Sequence, residues 1–190
     1  MLFYHYTCRR NIEGIFSDGI IRKGSVAINE LLVDKFKAVN LTTDPTPEGH
    51  GLPDGREISN EEAVLFGGYS ENEGKKFCAD HTKYRIEVEL PVSQYLVAAK
   101  QFHQLQPLVL TALELKGYFP TKQDLTDAEL LLSQVGIANG SIIGKSHTWW
   151  YYFNEIPVRA FTCVSVRDPL GQFWPVTPSN FAGLLKKLSV

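Results

Sequence analysis

The sequence predicts an α+β protein with a mixed or antiparallel β-sheet and a helical insertion. Segments with strand-like patterns lie early and late in the chain, whereas residues 93–136 have a helical pattern between them. Separation of strands from helices along the chain is typical of α+β domains. A chain of 190 residues has the length of one domain. We therefore expect a single domain over residues 1–190, with the helical insertion at about 93–136.

The first twenty residues predict a strand followed by a short helix. Residues 1–6 are apolar and aromatic, as in a buried strand. Thr7 is a suitable N-cap, and Gly19 is a suitable residue to end the helix. Apolar residues recur between them at helical spacing, namely Ile12, Ile15 and Phe16. Residues 20–21 then begin a second extended segment.

The next part of the chain predicts short elements and a long polar segment. Residues 24–28 indicate a strand, 29–37 a short helical turn, and 38–43 a second strand that ends at the turn signal Asp44-Pro45. Residues 45–76 are rich in Gly, Pro, Asn and Glu. A polar segment of this length is typical of a functional loop or of a flexible one.

The clearest strand is predicted at residues 83–90, where apolar and charged side chains alternate up to Pro91. Ser93 is a candidate N-cap for a helix through about His103, and further helices are predicted over 108–116 and after Asp124 or Thr126. The aromatic residues 149–153 and the segment 160–166 predict later strands, followed by a turn at 168–171 and a hairpin strand at 172–176. Residues 178–188 predict an amphipathic C-terminal helix.

Net charge, cysteine spacing and the length of apolar runs indicate the expected partners and location of the protein. The formal net charge is −2, so no global basic field indicates a nucleic-acid partner, although a local basic patch remains open. The three cysteines are widely spaced and suggest no disulfide framework, which favours a reducing compartment. We expect no signal peptide and no membrane span, because neither the basic leader nor 18 consecutive apolar residues occur. The expected location is the cytoplasm.

His5 and Thr7 are the first candidates for chemistry. Together they place an imidazole and a hydroxyl at the end of a rigid strand, where a ribose diol finds a donor and an acceptor. Burial of His5 as a hydrogen-bonded core residue is the alternative. Cys78 and His81 have the spacing of half a zinc site, but no second matching pair occurs, so we expect no metal.

Three segments together resemble the ADP-ribosyltransferase-like superfamily. The first is the opening run, in which a strand ends in His5-Tyr-Thr7 and leads into a helix. The second is Ala38-Val-Asn-Leu-Thr-Thr-Asp-Pro45, which is similar to the family's second core strand. The third is Thr148-Trp-Trp-Tyr-Tyr-Phe-Asn-Glu-Ile-Pro157, which resembles a later core strand. The resemblance implies a split β-sheet core and NAD as substrate.

The resemblance also implies site residues. His5 and Thr7 would contact the ribose of NAD, with Tyr6 beside them, although packing is the alternative for Tyr6. Thr42 and Thr43 would border the nicotinamide ribose, or serve only as β-branched strand residues. Among the aromatic residues Phe66, Tyr69 and Phe77, Tyr69 is preferred for stacking on nicotinamide, since Gly67 and Gly68 allow close backbone approach. Trp149 and Trp150 would wall the site.

The third segment departs from the family at its catalytic acid. The family's strand opens with a glutamate, but the matching position here is Thr148 or Trp149. A carboxylate is expected because the transition state at the ribose carbon resembles an oxocarbenium ion. Glu155, at the other end of the same strand, is our catalytic candidate, with Glu61, Glu62 and Glu71 as substitutes.

The resemblance therefore implies an NAD-dependent mono-ADP-ribosyltransferase, a bacterial or phage effector that modifies a protein or nucleic-acid acceptor. Two alternatives share the fold. One is a non-catalytic module that binds a nucleotide or a protein, which the missing glutamate would explain. The other is an enzyme similar to RNA 2′-phosphotransferases, which would need Arg and His side chains around a phosphate. Basic residues lie near the first helix, namely Arg9, Arg10, Arg22 and Lys23, but the spaced His and Arg motifs of that family do not occur.

Overall fold

The computed structural model describes residues 1–28, 31–50, 52–65, 69–98 and 148–176. Its helices are α1 (Arg9–Asp18) and α2 (Asn60–Leu65), with a 3-10 turn at Val158–Ala160. Its strands are β1 (Leu2–Thr7), β2 (Ile20–Ile21), β3 (Gly24–Ile28), β4 (Leu31–Thr42), β5 (Glu57–Ile58), β6 (Tyr69–Asn72), β7 (Lys75–Cys78), β8 (Tyr84–Glu89), β9 (Leu96–Ala98), β10 (Trp149–Tyr152), β11 (Ile156–Pro157), β12 (Phe161–Arg167) and β13 (Phe173–Pro175).

The described strands form one large sheet and two small ones. The large sheet has the order β13-β12-β8-β1-β4-β10-β9, and β3 pairs with β4 beside this path. Strands β11 and β2 form a ribbon, and β5, β7 and β6 form a third sheet. Every pair between described strands is antiparallel. The predicted α+β class with an antiparallel sheet is therefore confirmed at this level.

The main core lies between α1 and one face of the large sheet. Ile12 and Ile15 are the buried residues of α1, and they join a cluster that contains Phe3, Ile86 and Val88, each 0% exposed. The helix ends where predicted, because Gly19 adopts the left-handed conformation with φ 74°. Burial of the alternate residues of β1 and β8 on this face fixes their register.

Strand β1 has very different relations with its two neighbours. It pairs with β8 at six consecutive positions, from Leu2 opposite Glu89 to Thr7 opposite Tyr84. With β4 it pairs at a single position, Tyr4 opposite Thr42. The large sheet is therefore open between β1 and β4 beyond that pair.

The start of α1 differs from the prediction by one residue. Thr7 is the last residue of β1, and Cys8 is the N-cap, without a side-chain capping hydrogen bond. The pairing of Thr7 with Tyr84 extends the strand and removes Thr7 from the capping position.

The predicted helical turn at residues 29–37 is wrong. Residues 31–37 belong to β4, which pairs with β3 from Gly24 opposite Ala38 to Ile28 opposite Leu31. A hairpin satisfies the backbone hydrogen bonds of this segment and so overrides its local helical preference.

The helix predicted from Ser93 to about His103 is also wrong in its described part. Leu96–Ala98 is strand β9, which pairs with β10 at the edge of the large sheet. Leu96 and Val97 are both buried there. The remainder of the predicted helical insertion, residues 99–136, lies outside the described residues, as does the predicted helix at 178–188.

The long polar segment contains regular structure rather than a continuous loop. Within residues 45–76 the chain forms β5, α2, β6 and the start of β7. The antiparallel pairs of this small sheet account for its backbone hydrogen bonds. In the described part of the chain, no helix is long and apolar enough to cross a membrane.

Candidate functional site

A cavity of about 820 Å³ lies between α1 and the gap between β1 and β4. We call the side of β1 that faces this gap the open edge. Its lining includes consecutive residues of β1, from Tyr4 to Thr7, and of β4, from Ala38 to Thr42. Consecutive strand residues point to opposite faces of a sheet, so the cavity extends into the gap between the two strands. Helix α1 and strand β2 close one side, and β10 closes another.

His5 lies at the opening between the strands. Its Nδ1 is 2.9 Å from the backbone oxygen of Asn40 on β4. Burial lowers the pKa of His5, an effect that the hydrogen bond to Asn40 partly opposes. The imidazole is therefore neutral at pH 7. Because a carbonyl only accepts, Nδ1 carries the proton and Nε2 is left as an acceptor in a ring that lines the cavity.

His81 provides a second imidazole in the lining of the same cavity. Its backbone N–H donates to the Pro53 oxygen at 2.8 Å, which fixes the connection before β8. Burial lowers the pKa of His81, and the nearby charge of Asp80 opposes this effect. His81 also contributes to lowering the pKa of His5, so the two rings lie within electrostatic reach of each other.

His50 and Trp149 join the polar segment to β10. The indole Nε1 of Trp149 donates to His50 Nδ1 at 2.6 Å, and the two rings stack at 6.0 Å. Because Nδ1 accepts, the neutral His50 ring carries its proton on Nε2, which lies 3.8 Å from Asp44 Oδ2. The His50 side chain is only 2% exposed, so this contact closes one end of the cavity.

The Thr42 hydroxyl forms hydrogen bonds within the protein. Its hydroxyl lies 2.9 Å from the hydroxyl of Thr148 and accepts a hydrogen bond from the Asp44 N–H at 3.0 Å. The Thr43 N–H donates to the Thr148 oxygen at 2.9 Å. These bonds attach the end of β4 to the start of β10, and the exposed Thr43 side chain lies outside the cavity lining.

Few charges line the cavity. Arg10 and Arg22 are the cations among its described lining residues, and Asp18 is the carboxylate. Asp18 is bound to Arg22, whose Nε donates to its Oδ2 at 2.9 Å. In the described part of the chain, no glutamate lines the cavity.

Glu155 is placed near the cavity by the β2–β11 ribbon. Ile156 pairs with Ile21, so Glu155 is next to that pair on the side of Arg22. The charge of Glu155 contributes to a raised pKa of Arg22, although Asp18 is the larger cause. Glu155 itself is exposed and is not among the lining residues.

The structure thus brings together most, but not all, of the predicted site residues. Those that line the cavity are His5, Tyr6, Thr7, Thr42, Trp149 and Trp150. Those outside the lining are Thr43, Tyr69 and Glu155. Tyr69 is 47% exposed on the small sheet, where Lys76 Nζ lies 4.4 Å from its ring centre. Of the substitute acids, Glu62 is bound to Arg56 at 2.6 Å.

Sequence reasoning missed several residues of the cavity. Asn40 lies within a segment predicted as a strand, and no sequence signal marks the carbonyl that holds His5. His81 was considered only as half of a zinc site. Arg22 is a candidate from the sequence only for the phosphate of the RNA 2′-phosphotransferase alternative, and the pairing of β2 with β11 brings Glu155 beside it. Among the described residues, no group of three His, Cys, Asp or Glu side chains is placed to hold a metal ion.

Comparison with known proteins adds no assignment: no protein-family model, curated protein or solved structure matches the chain. The ADP-ribosyltransferase interpretation rests on the sequence motifs and on the cavity.

Proposed function

We propose that the protein is an NAD-dependent ADP-ribosyltransferase that uses the cavity between α1 and the open sheet edge. It would bind NAD, cleave the bond between nicotinamide and ribose, and transfer ADP-ribose to a macromolecule. The observation that carries the proposal is His5, whose ring is oriented by the Asn40 carbonyl in a cavity large enough for a nucleotide.

The state of His5 suits a ribose hydroxyl. A neutral ring whose Nδ1–H is already bound to Asn40 offers only Nε2 to a ligand. An acceptor fixed on a rigid strand can take the proton of a 2′-hydroxyl and hold the sugar in one orientation. Thr7 lies two residues further along the same strand and lines the same cavity.

The aromatic side chains of β10 support a planar ligand. Trp150 packs edge-on against Phe3 at 5.6 Å, and Trp149 stacks on His50 at 6.0 Å. Both indoles are therefore held in place before a ligand enters, which lowers the entropy cost of binding.

In this proposal, Glu155 is the carboxylate that stabilises the transition state. As the bond from C1′ to nicotinamide breaks, its electron pair leaves with nicotinamide, and positive charge develops on the ribose. The nucleophile of the acceptor then bonds to C1′ and loses a proton. Glu155 lies beside Arg22, which lines the cavity, and in this proposal it would stabilise the charge on the bound ribose.

A second candidate is a non-catalytic module that binds a nucleotide or a protein. The supporting observation is the charge of the described lining, where Asp18 is the single carboxylate and is bound to Arg22. A site of this kind would hold the nucleotide without cleaving it.

A third candidate is an RNA 2′-phosphotransferase. Three histidines and two arginines line the cavity, namely His5, His50, His81, Arg10 and Arg22. This combination suits a phosphate group on a ribose.

The test is nicotinamide release from NAD, measured with and without cell lysate. We expect His5→Ala to lower the rate at least about 100-fold, as for loss of one fixed group at a reacting centre. Glu155→Gln should lower turnover with little change in NAD affinity. Trp174→Ala is the control, because this indole is 60% exposed and outside the cavity lining.

The outcomes separate the candidates. Release that depends on His5 and rises with lysate supports a transferase, and transfer of labelled ADP-ribose to a lysate component would complete the assignment. NAD binding without release, in a folded protein, contradicts the enzyme and supports the binding module. Removal of a 2′-phosphate from an RNA oligonucleotide in the presence of NAD supports the third candidate.

A further inference from the structure

The segment that follows β4 contacts both β1 and β8. We call residues 44–50 of this segment the strap. The Tyr6 hydroxyl of β1 donates to the Asp44 oxygen at 3.2 Å, and Arg85 of β8 donates to the Pro45 oxygen at 2.8 Å. These bonds hold the first part of the strap against the large sheet.

The strap then turns so that its last residue joins the cavity lining. The His50 N–H donates to the Pro47 oxygen at 3.4 Å, and Gly49 has a φ angle of 79°. A positive φ angle suits glycine, which allows the chain to turn immediately before His50. Glu48 and Gly49 are exposed, whereas the His50 side chain is 2% exposed and lines the cavity.

His50 closes this end of the cavity through a hydrogen bond to β10. Trp149 Nε1 donates to His50 Nδ1 at 2.6 Å, and the planes of the two stacked rings differ by 27°. An indole has a donor and no acceptor, so this bond exists only while Nδ1 is unprotonated. Protonation would place two N–H groups against each other where water has little access, and the rings would have to separate.

The Asp44 carboxylate faces the His50 ring from the strap itself, with Oδ2 3.8 Å from Nε2. A carboxylate at this distance favours the imidazolium. From β1, Tyr6 faces the ring at 6.2 Å, and burial raises the pKa of Tyr6, so its hydroxyl stays neutral. Glu48 of the strap is paired with Arg167 of β12. A hydrogen bond that requires neutral His50 therefore competes with a carboxylate that favours the charged ring.

We propose that His50 and Trp149 form a proton-sensitive latch that closes one end of the cavity. At neutral pH the indole holds the His50 ring, and with it the end of the strap, against β10. On acidification the imidazolium leaves the indole for Asp44, and the strap opens at Gly49 while its bonds to β1 and β8 keep its first part in place. A histidine suits this role because its charge changes near neutral pH. The latch controls access to the cavity whichever ligand binds there.

The experiment is an NMR titration of the full chain, labelled with 15N-tryptophan, from pH 8 to pH 5. The Trp149 indole N–H resonance should lie downfield at pH 8 and move upfield as His50 takes up its proton, which the C–H resonances of the ring report. Trp174 is the internal control, because its indole also donates, to Asp168 at 2.8 Å. That bond holds the pKa of Asp168 below its ordinary value of 3.8, so the Trp174 resonance should stay constant to pH 5. Exchange of the Trp149 N–H with water, relative to that of Trp174, should rise at least about tenfold as the latch opens.

Three variants assign the transition. His50→Gln keeps an acceptor oxygen for the indole but does not titrate, so the Trp149 resonance should stay constant. Asp44→Asn removes the charge and keeps the oxygen that accepts from the Thr46 N–H, so the transition should move lower by about one pH unit. Trp149→Phe removes the donor, so His50 should take up its proton at a higher pH than in the parent protein.

The results decide the proposal without any nucleotide. A Trp149 resonance that stays constant to pH 5 overturns the latch, as does a transition that persists in His50→Gln or that Asp44→Asn leaves in place. A transition that His50→Gln removes, with Trp174 constant, supports it. If His50→Gln does not fold, an unchanged titration of His50 in Trp149→Phe overturns the latch and a raised one supports it. Absence of nicotinamide release would reject the proposed enzyme and would leave the latch unaffected.

Discussion

Strand β1 is bordered by two strands, and it is bonded to them to very different extents. Towards β8 it forms six consecutive pairs, backed by the buried side chains Ile86 and Val88. Towards β4 it forms one pair, and the next contact across the gap is the His5 imidazole on the Asn40 oxygen. The first edge has the features of a scaffold, and the second lies along the cavity.

Strand β4 is paired mainly with strands other than β1. Strand β10 pairs with β4 at four positions, from Trp149 opposite Thr42 to Tyr152 opposite Val39. The hairpin with β3 pairs its other end. These pairs anchor β4 independently of β1. On the side that faces β1, the Asn40 oxygen is occupied by the His5 ring instead of by a backbone N–H.

The largest effect is expected from Ile86→Ala on the closed edge. Ile86 is fully buried opposite His5, and its truncation should lower the free energy of unfolding by about 2–5 kcal/mol. Urea unfolding measures this loss. Below the melting temperature, nicotinamide release per folded molecule should stay within a few-fold of the parent protein. A loss of release as large as that of His5→Ala would show that the two edges do not have separate roles.

Trp149→Phe tests how the open edge is supported. The variant removes the donor to His50 Nδ1, a bond of 2.6 Å to a ring that is 2% exposed. Loss of a buried hydrogen bond should lower the free energy of unfolding by about 1–3 kcal/mol. Trp174→Phe is the control, because its indole also donates at 2.8 Å, to Asp168, but at an exposed position. Equal losses for the two variants would contradict a supporting role for the buried pair.

The open edge should also make stability depend on pH. Burial lowers the pKa of His5 and of His81 below the unfolded value of about 6.5, so protons bind more readily to the unfolded chain. The free energy of unfolding should therefore be highest above pH 6.5 and fall as the pH drops below it. The decrease is at most about 1.4 kcal/mol per pH unit for each histidine.

Urea unfolding at pH 7.5, 6.5 and 5.5 checks this dependence. His5→Gln should remove the contribution of one histidine, and His81→Gln that of the other. A slope below pH 6.5 that neither variant changes would assign the dependence to other groups.

Local patterns in the sequence were sufficient for some elements. Alternation of apolar and charged residues predicted β8, the aromatic run predicted β10, and Gly19 marked the end of α1. The helical turn at 29–37 failed because strand β4 depends on pairing with β3, which no local pattern contains.

The contrast between local sequence patterns and long-range contacts also applies to the residues of the site. His5 and Thr7 were proposed because they are neighbours at the end of one strand, and both line the cavity. The Asn40 oxygen lies 35 residues away in sequence, and the approach of Glu155 to Arg22 follows from the β2–β11 pairing. Long-range contacts of this kind decide the orientation and charge of a site, and a single sequence does not specify them.

The smallest effect is expected outside the large sheet, at the turn between β6 and β7. Asn72 pairs with Lys75, so Glu73 and Gly74 form a two-residue turn, and their φ angles are 50° and 76°. Two positive φ angles define a type I′ turn, for which Asn-Gly is the preferred pair. Glu73→Asn should therefore raise the free energy of unfolding by about 0.5–1 kcal/mol in urea unfolding.

Gly74→Ala should lower the free energy of unfolding by about 1 kcal/mol. No atom lies near the position of the added Cβ, so the cost comes only from the positive φ angle. Neither variant should change nicotinamide release, whereas a change would mean that the small sheet contributes to the site.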